Sequence, residues 1–163
     1  TEKFHLVSMG TDIYIHYPDY EIVPYVNEWQ QLIILHYMNL ATGAPLEKTW
    51  ISMREMKDGM IRGGDFDMRC ENVICQKLSQ VTPEDFSEKC KRIGGKIIKG
   101  KADITVQFDF LPYYPILLKM WFADDEFPAS GRLLVDAKAD QYLTIEDAVT
   151  VGQIVMEKLA GMD

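Results

Sequence analysis

A chain of 163 residues with 47% hydrophobic and 26% charged content has room for one packed domain and little more. Its formal net charge of −8 and pI near 4.9 repel phosphate backbones, so no nucleic-acid partner is expected without a local basic stripe. No run approaches the ~18 consecutive apolar residues of a membrane span, and Thr1-Glu2-Lys3-Phe4-His5 carries no apolar signal core, so a cytoplasmic protein without a membrane partner is expected.

In chain order, Phe4 to Met9 and Ile13 to Tyr17 are β-prone runs split by Gly10-Thr11-Asp12, which predicts a hairpin over about 4–17. Pro18-Asp19 closes it. Asn27 is placed to cap a helix with Glu28 in its first turn. Trp29, Leu32, Ile33, Tyr37 and Leu40 follow helical spacing, and Ile34, Leu35 and Met38 widen the stripe, so this helix is expected to be buried on most of its circumference. Gly43-Ala44-Pro45 ends it.

Trp50-Ile51-Ser52 reads as a brief strand before a helical turn at Met53 to Met56, and Asp58-Gly59 and Gly63-Gly64 read as chain breaks. A second helix is predicted over Phe66 to Leu78. A third begins with Thr82 as cap, Pro83 at the first helical position and Asp85 at the capping-box position, and stops at Gly94-Gly95. The helical middle thus covers about 27–95.

A meander follows, with its closing helix, over about 103–160. In Asp103 to Phe110, Ile104, Val106, Phe108 and Phe110 alternate with polar residues, the mark of a strand with one wet face. Tyr113 to Phe122 and Leu133-Leu134-Val135 supply two more strands. Thr144 and Asp147 form a capping box for a last helix with the stripe Ala148, Val151, Ile154, Val155 and Leu159. The fold class is α+β, a single domain over 1–163 with an antiparallel meander packed on one face by helices.

The register between the first two meander strands is legible as well. With Leu111-Pro112-Tyr113 as the turn, Phe110 faces Tyr114, Phe108 faces Ile116, Val106 faces Leu118 and Ile104 faces Met120. Every buried position is then apolar, and a one-residue slip forfeits that. The other face pairs Gln107 with Leu117, Thr105 with Lys119 and Asp103 with Trp121. Leu117 and Trp121 are then large apolar groups among polar neighbours, a composition suited to contact with a ligand or, in a homo-oligomer, a partner subunit.

Asp124-Asp125-Glu126 is the strongest candidate for chemistry. Three carboxylates in one hairpin repel each other unless a cation, an arginine or water screens them. A hard divalent cation takes several oxygens, so these acids are the candidate metal ligands, with Asp136 and Asp140 as less well placed additions. No other cofactor is predicted. Arg54 is a candidate partner for one of the hairpin acids, since a guanidinium grips a carboxylate bidentately.

The remaining polar features read as structural. Cys70, Cys75 and Cys90 lack the C-x₂-C spacing of zinc or iron–sulfur sites, and an odd count agrees with a reducing compartment. His36 sits in the apolar helix without a ligand partner at helical spacing, and His5 and His16 are scattered. The basic stretch Lys89-Cys90-Lys91-Arg92, with Lys96, Lys99 and Lys101, surrounds a helix end whose dipole it complements. Arg62-Gly63-Gly64-Asp65 lacks the Lys-Ser/Thr of a phosphate loop, and Gly94-Gly95-Lys96 follows a helix instead of opening one; both read as turns. No H-E-x-x-H or G-x-S-x-G occurs.

The stretch Leu111 to Leu143, with its three acids, then Phe127-Pro128-Ala129, then Leu134-Val135-Asp136, resembles the DUF3786 family of bacteria and archaea. Trp50 followed by Arg54-Glu55 is similar to a second segment of that family, and the resemblance runs from about Tyr14 onward. It implies no established activity. The expectation is therefore a cytoplasmic binding or accessory protein with Asp124, Asp125, Glu126, Phe127, Arg54, Trp121 and Leu117 as its ligand or partner surface. The alternative is an enzyme whose acidic hairpin acts with a divalent ion or as general acid and base.

Overall fold

In the computed structural model, which describes residues 2–161, the first hairpin pairs β1 (Lys3–Ser8) with β2 (Thr11–His16) around a two-residue turn. That turn is Met9-Gly10, with φ of 48° and 80°, the left-handed pair that matches strand twist. A short β3 (Glu21–Val23), absent from the sequence reading, extends this into a three-stranded antiparallel sheet. Helix α1 (Glu28–Leu40) starts where expected, with the Asn27 side chain accepting from the Gln30 N–H at 2.8 Å.

The expectation that α1 is buried on most of its circumference is overturned. Only Gln30, Ile33, Ile34 and Tyr37 are buried, while Trp29 is 65% exposed and Leu32, Leu35 and Leu40 also face outward. The helix lies at the periphery against the last helix, so only one side has something to pack on.

After a connection without regular structure come β4 (Trp50–Ile51) and a 3₁₀ turn at Met53–Glu55. Helix α2 (Arg62–Gln76) begins four residues earlier than the sequence suggests, and Gly63 and Gly64 lie inside it instead of breaking the chain. A Cβ at Gly63 would stand 2.2 Å from the Met53 carbonyl oxygen, so glycine is there to let the helix start press on the 3₁₀ turn. Helix α3 (Pro83–Arg92) is capped by Thr82, whose hydroxyl accepts from the Asp85 N–H at 3.2 Å. Gly94 ends it at φ +89°, where its Cα lies so close to the Met9 carbonyl that a side chain has no room.

The large sheet has five antiparallel strands in the order β4-β8-β7-β6-β5, so the expected meander is its centre. They are β5 (Gly95–Ile98), which the sequence reading missed, β6 (Ile104–Leu111), β7 (Tyr114–Trp121) and β8 (Ser130–Asp136). Helix α4 (Ile145–Ala160) follows. The β6–β7 register is as derived at Ile104–Met120, Val106–Leu118, Phe108–Ile116 and, on the wet face, Thr105–Lys119 and Gln107–Leu117.

It departs at the turn. Leu111 faces Tyr114 and Asp109 faces Pro115, so Phe110 is a bulged residue and the turn is Pro112-Tyr113. The bulge serves the N-terminal sheet: the Ser8 hydroxyl donates to the Phe110 carbonyl at 2.6 Å, and the Met9 N–H donates to the Asp109 carbonyl at 2.8 Å.

One apolar cluster joins both sheets to the helices, from Ile13 and Ile15 through Phe108, Ile116 and Val135 to Ile74, Phe86 and Val151. The connection between α1 and β4 is held at Asp136, a buried carboxylate that accepts from the N–H groups of Glu47 (3.1 Å), Lys48 (2.8 Å) and Lys138 (2.9 Å). Asp136 is thus a structural hub and takes no part in the acidic hairpin.

Candidate ligand groove

The site residues suggested by the sequence divide into three groups. Trp121, Asp124 and Phe127 come together in one groove of about 570 Å³, walled also by Phe122, Pro128, Ser130 and Arg132, with Glu71 and Asp103 at its rim. Asp125 and Glu126 are exposed at the hairpin tip, outside the lining. Leu117 and Arg54 lie elsewhere.

Leu117 corrects the idea of an exposed contact residue, because it is only 2% exposed. The α1–β4 connection crosses that side of the sheet, and its Leu46 lines a hollow together with Gln107, Asp109 and Pro115. Trp121, nearer the open end, stays half-buried. Arg54 makes no ion pair with the hairpin acids among the described residues. Its backbone N–H donates to the Asp67 carboxylate at 3.0 Å, and its aliphatic stem lies over Gly64.

The hairpin is held by its own first acid. Asp124 Oδ1 accepts from the N–H groups of Glu126 at 2.8 Å and Phe127 at 2.7 Å, while the Asp124 N–H donates to the Phe127 carbonyl at 3.0 Å. These bonds from Phe127 and Glu126 hold the Asp124 carboxyl below the usual range by favouring its charged form. One of its two carboxylate oxygens is therefore committed to a turn. Among the described residues no group of three or more His, Cys, Asp or Glu stands close enough to share a metal ion.

Asp103 is committed in the same way, since it accepts from the Phe122 N–H at 2.8 Å. This fixes the β7 end against the start of β6 and holds the aromatic wall in place. Arg132 and Glu71 make no ion pair among the described residues and are exposed, so they are the charges left for a ligand. Phe127 projects from the hairpin at 66% exposure.

A second hollow of about 320 Å³ continues the groove along β8 and shares Glu71, Gly131 and Arg132 with the first. Ser52, Asp67, Met68, Leu133 and Leu134 complete it. Burial raises the carboxyl of Asp67 above its ordinary value, against the lowering effect of backbone N–H donors from Arg54 and Met53. Sequence reasoning missed Asp67, Met68, Glu71 and Arg132. A signal was present: Asp67 and Glu71 are like charges four apart on α2, a spacing that destabilises a helix by a few tenths of a kcal/mol.

A polar cluster also forms away from the groove. His36 Nδ1 stands 2.9 Å from Asp147, whose carboxylate therefore points at α1 instead of closing the capping box with Thr144. Beside it the Tyr114 hydroxyl is fully buried with no hydrogen-bond partner among the described residues, and burial first, then Asp147 and Asp140, pushes its ionisation upward. Tyr37, Tyr142 and Tyr113 stack in a column, and the Tyr37 and Tyr142 hydroxyls donate to the carbonyls of Pro112 and Ala44. Cys70 and Cys90 are buried free thiols pushed up to about 12, chiefly by burial, so they are inert packing groups. The Cys75 thiol donates to the Ala129 carbonyl at the groove's edge.

Residues 1–158 match the sequence profile described as "Domain of unknown function (DUF3786)". The chain belongs to the DUF3786 family. No curated protein and no solved structure matches it. In this DUF3786 chain the segment from Trp121 to Arg132, which contains the acidic hairpin and Phe127-Pro128-Ala129, builds most of the groove. The middle of that segment, Phe122 to Ala129, is the connection between β7 and β8, and loops on a scaffold carry function more often than packing.

Proposed function

We propose that this DUF3786 domain is a cytoplasmic, non-enzymatic binding module whose ligand seats between β8 and α2, beside the acidic hairpin. The groove itself carries the reading. Its volume of about 570 Å³ falls among those of ligand pockets, and it combines an apolar wall of Trp121, Phe122, Phe127 and Pro128 with a few charged groups. Arg132 and Glu71 supply one positive and one negative charge free of ion pairs among the described residues, which suits them to orienting a ligand. Asp103 and Asp124 each spend one carboxylate oxygen on backbone N–H groups, which gives them a part in holding the groove's shape and favours binding over catalysis as their role.

The test is a fragment screen followed by amide and indole NMR signals. Bound fragments are expected to shift the Trp121 indole N–H and the amides of Phe127, Arg132 and Glu71, and Trp121→Ala with Phe127→Ala is expected to abolish those shifts. Fragments that gather elsewhere, or that still bind the double variant with equal affinity, would overturn the assignment.

A further inference from the structure

The large sheet is unfinished on one side. β8 runs over seven residues, yet β4 covers only its last two, through Trp50–Asp136 and Ile51–Val135. The chain leaves the sheet at Ser52, where Glu55 accepts from the Ser52 N–H at 2.7 Å and folds the backbone into the 3₁₀ turn. From Ser130 to Leu134 no strand of the described residues lies beside β8 on that flank, a stretch of about 16 Å at ~3.3 Å per residue.

The direction of the free groups follows from the ladder. The Ala137 N–H donates to the Thr49 carbonyl, so Ala137 turns its main chain toward the β4 flank. Successive residues of an antiparallel strand alternate sides, so Val135, Leu133 and Gly131 face that flank too. Val135 is taken by Ile51, which leaves the N–H and C=O of Leu133 and Gly131 directed to the unpaired flank, where both residues are buried beside α2. Both residues line the hollow of about 320 Å³ that opens there.

We infer that the ligand of the groove is an extended, basic segment of another protein that adds to the sheet along this edge of β8. The inference rests on the binding reading above and names the partner's chemistry. Main-chain pairing supplies affinity in such complexes, and pockets for alternate side chains supply selectivity. The added strand would continue the line of β4. Alternate side chains would then meet α2, where Asp67, Glu71 and the exposed Met68 form the wall. Acids beside a methionine favour lysine or arginine with a long apolar stem. At the far end, Trp121 and Phe127 receive an apolar residue. A second copy of this chain is the poorer occupant, because pairing the same edges would set Asp67 and Glu71 against acids of the same sign. The sheet's other edge, β5, is guarded by Lys96, with Lys99 and Lys101 just after it, the usual protection against strand addition.

The experiment uses the full chain and a capped peptide of alternating lysine and valine. Amide hydrogen exchange is read at Gly131 and Leu133, with indole and Phe127 signals recorded in parallel. The peptide is expected to slow exchange at both amides at least tenfold. Its forms N-methylated on alternate residues, in either phase, are expected to lose that protection in the phase that faces β8. Replacing lysine by glutamate, or Glu71→Lys in the protein, is expected to weaken binding several-fold. Protection that survives both methylated phases overturns strand addition while leaving the groove intact, and fragment binding without any peptide protection does the same. Equal binding of the glutamate peptide overturns the basic assignment. Slow exchange of these amides in the free monomer, or protection that rises with protein concentration alone, overturns the foreign-strand proposal in favour of a closed edge or a self-paired dimer.

Discussion

Removing the Asp136 carboxylate tests how the unstructured connection before β4 is held. Asp136 is 2% exposed and accepts three backbone N–H groups, from Glu47, Lys48 and Lys138. Hydrogen bonds to a charged acceptor contribute ~1.5–3 kcal/mol each, but they do not add in full, because a loop that lets go can expose its N–H groups to water. Asp136→Ala is therefore expected to cost about 3 kcal/mol, a large share of a typical stability of ~5–15 kcal/mol. For a chain of this size that corresponds to a fall in melting temperature of about 6–12 °C. Asp136→Asn should fall between wild type and alanine. It keeps an acceptor for Glu47 and Lys138 but turns an NH₂ group toward Lys48. Urea unfolding gives the stability, and amide exchange gives the locality, with Glu47, Lys48 and Lys138 expected to speed up most. A loss under ~1 kcal/mol in the alanine variant, with those three amides unchanged, would refute the role assigned to this carboxylate.

Tyr114→Phe deletes a fully buried hydroxyl that has no partner among the described residues, so the variant is expected to be more stable by ~1 kcal/mol; a lower urea midpoint would mean that the hydroxyl is bonded. Tyr37 is pushed up to about 12 from 10.0 by burial, then by Tyr142 and Tyr113. The folded state thus keeps that proton longer than the unfolded chain, so the contribution is complete below pH 10.0 and is lost as pH rises toward about 12, a decline that Tyr37→Phe should flatten in urea midpoints measured across that range under reducing conditions. Asp124 has the opposite sign: its lowered ionisation stabilises the folded hairpin above the unfolded carboxyl's value and is lost as pH falls through the folded one. Asp124→Ala should therefore broaden the Phe127 amide signal and speed its exchange at neutral pH, with the difference from wild type vanishing in strong acid.

The sheet's register was legible because alternation in Ile104 to Phe110 and Tyr114 to Phe122 leaves one pairing that keeps Lys119 off the apolar face. The bulge at Phe110 was not, since its cause is Ser8, more than a hundred positions away. Strands β3 and β5 escaped notice for a similar reason: Glu21–Val23 and Gly95–Ile98 are too short to show a period and exist because a neighbouring strand offers an edge. The apolar α1 misled because composition gives the width of a stripe but not how many neighbours will cover it. Of the site, Trp121, Asp124 and Phe127 were readable as aromatic and acidic residues around a hairpin. Glu71 and Arg132 were ordinary surface charges until the packing of α2 on β8 brought them together.

The bulge in β6 has a thermodynamic consequence. A regular hairpin would point the Asp109 and Phe110 carbonyls into its own ladder or into solvent, and the three-stranded sheet would rest on the core through side chains alone. The displaced backbone instead accepts from Met9 and Ser8, and Ser8 in turn accepts from the Gln30 side chain at 3.2 Å, so strand, turn and helix share one chain of polar contacts. Loss of the first hairpin would leave the Asp109 and Phe110 carbonyls without these donors at the turn end of β6. Two sheets that look separable in outline are thereby joined, so β1 to β3 are expected to melt together with β6, β7, β8 and α4 as one cooperative unit.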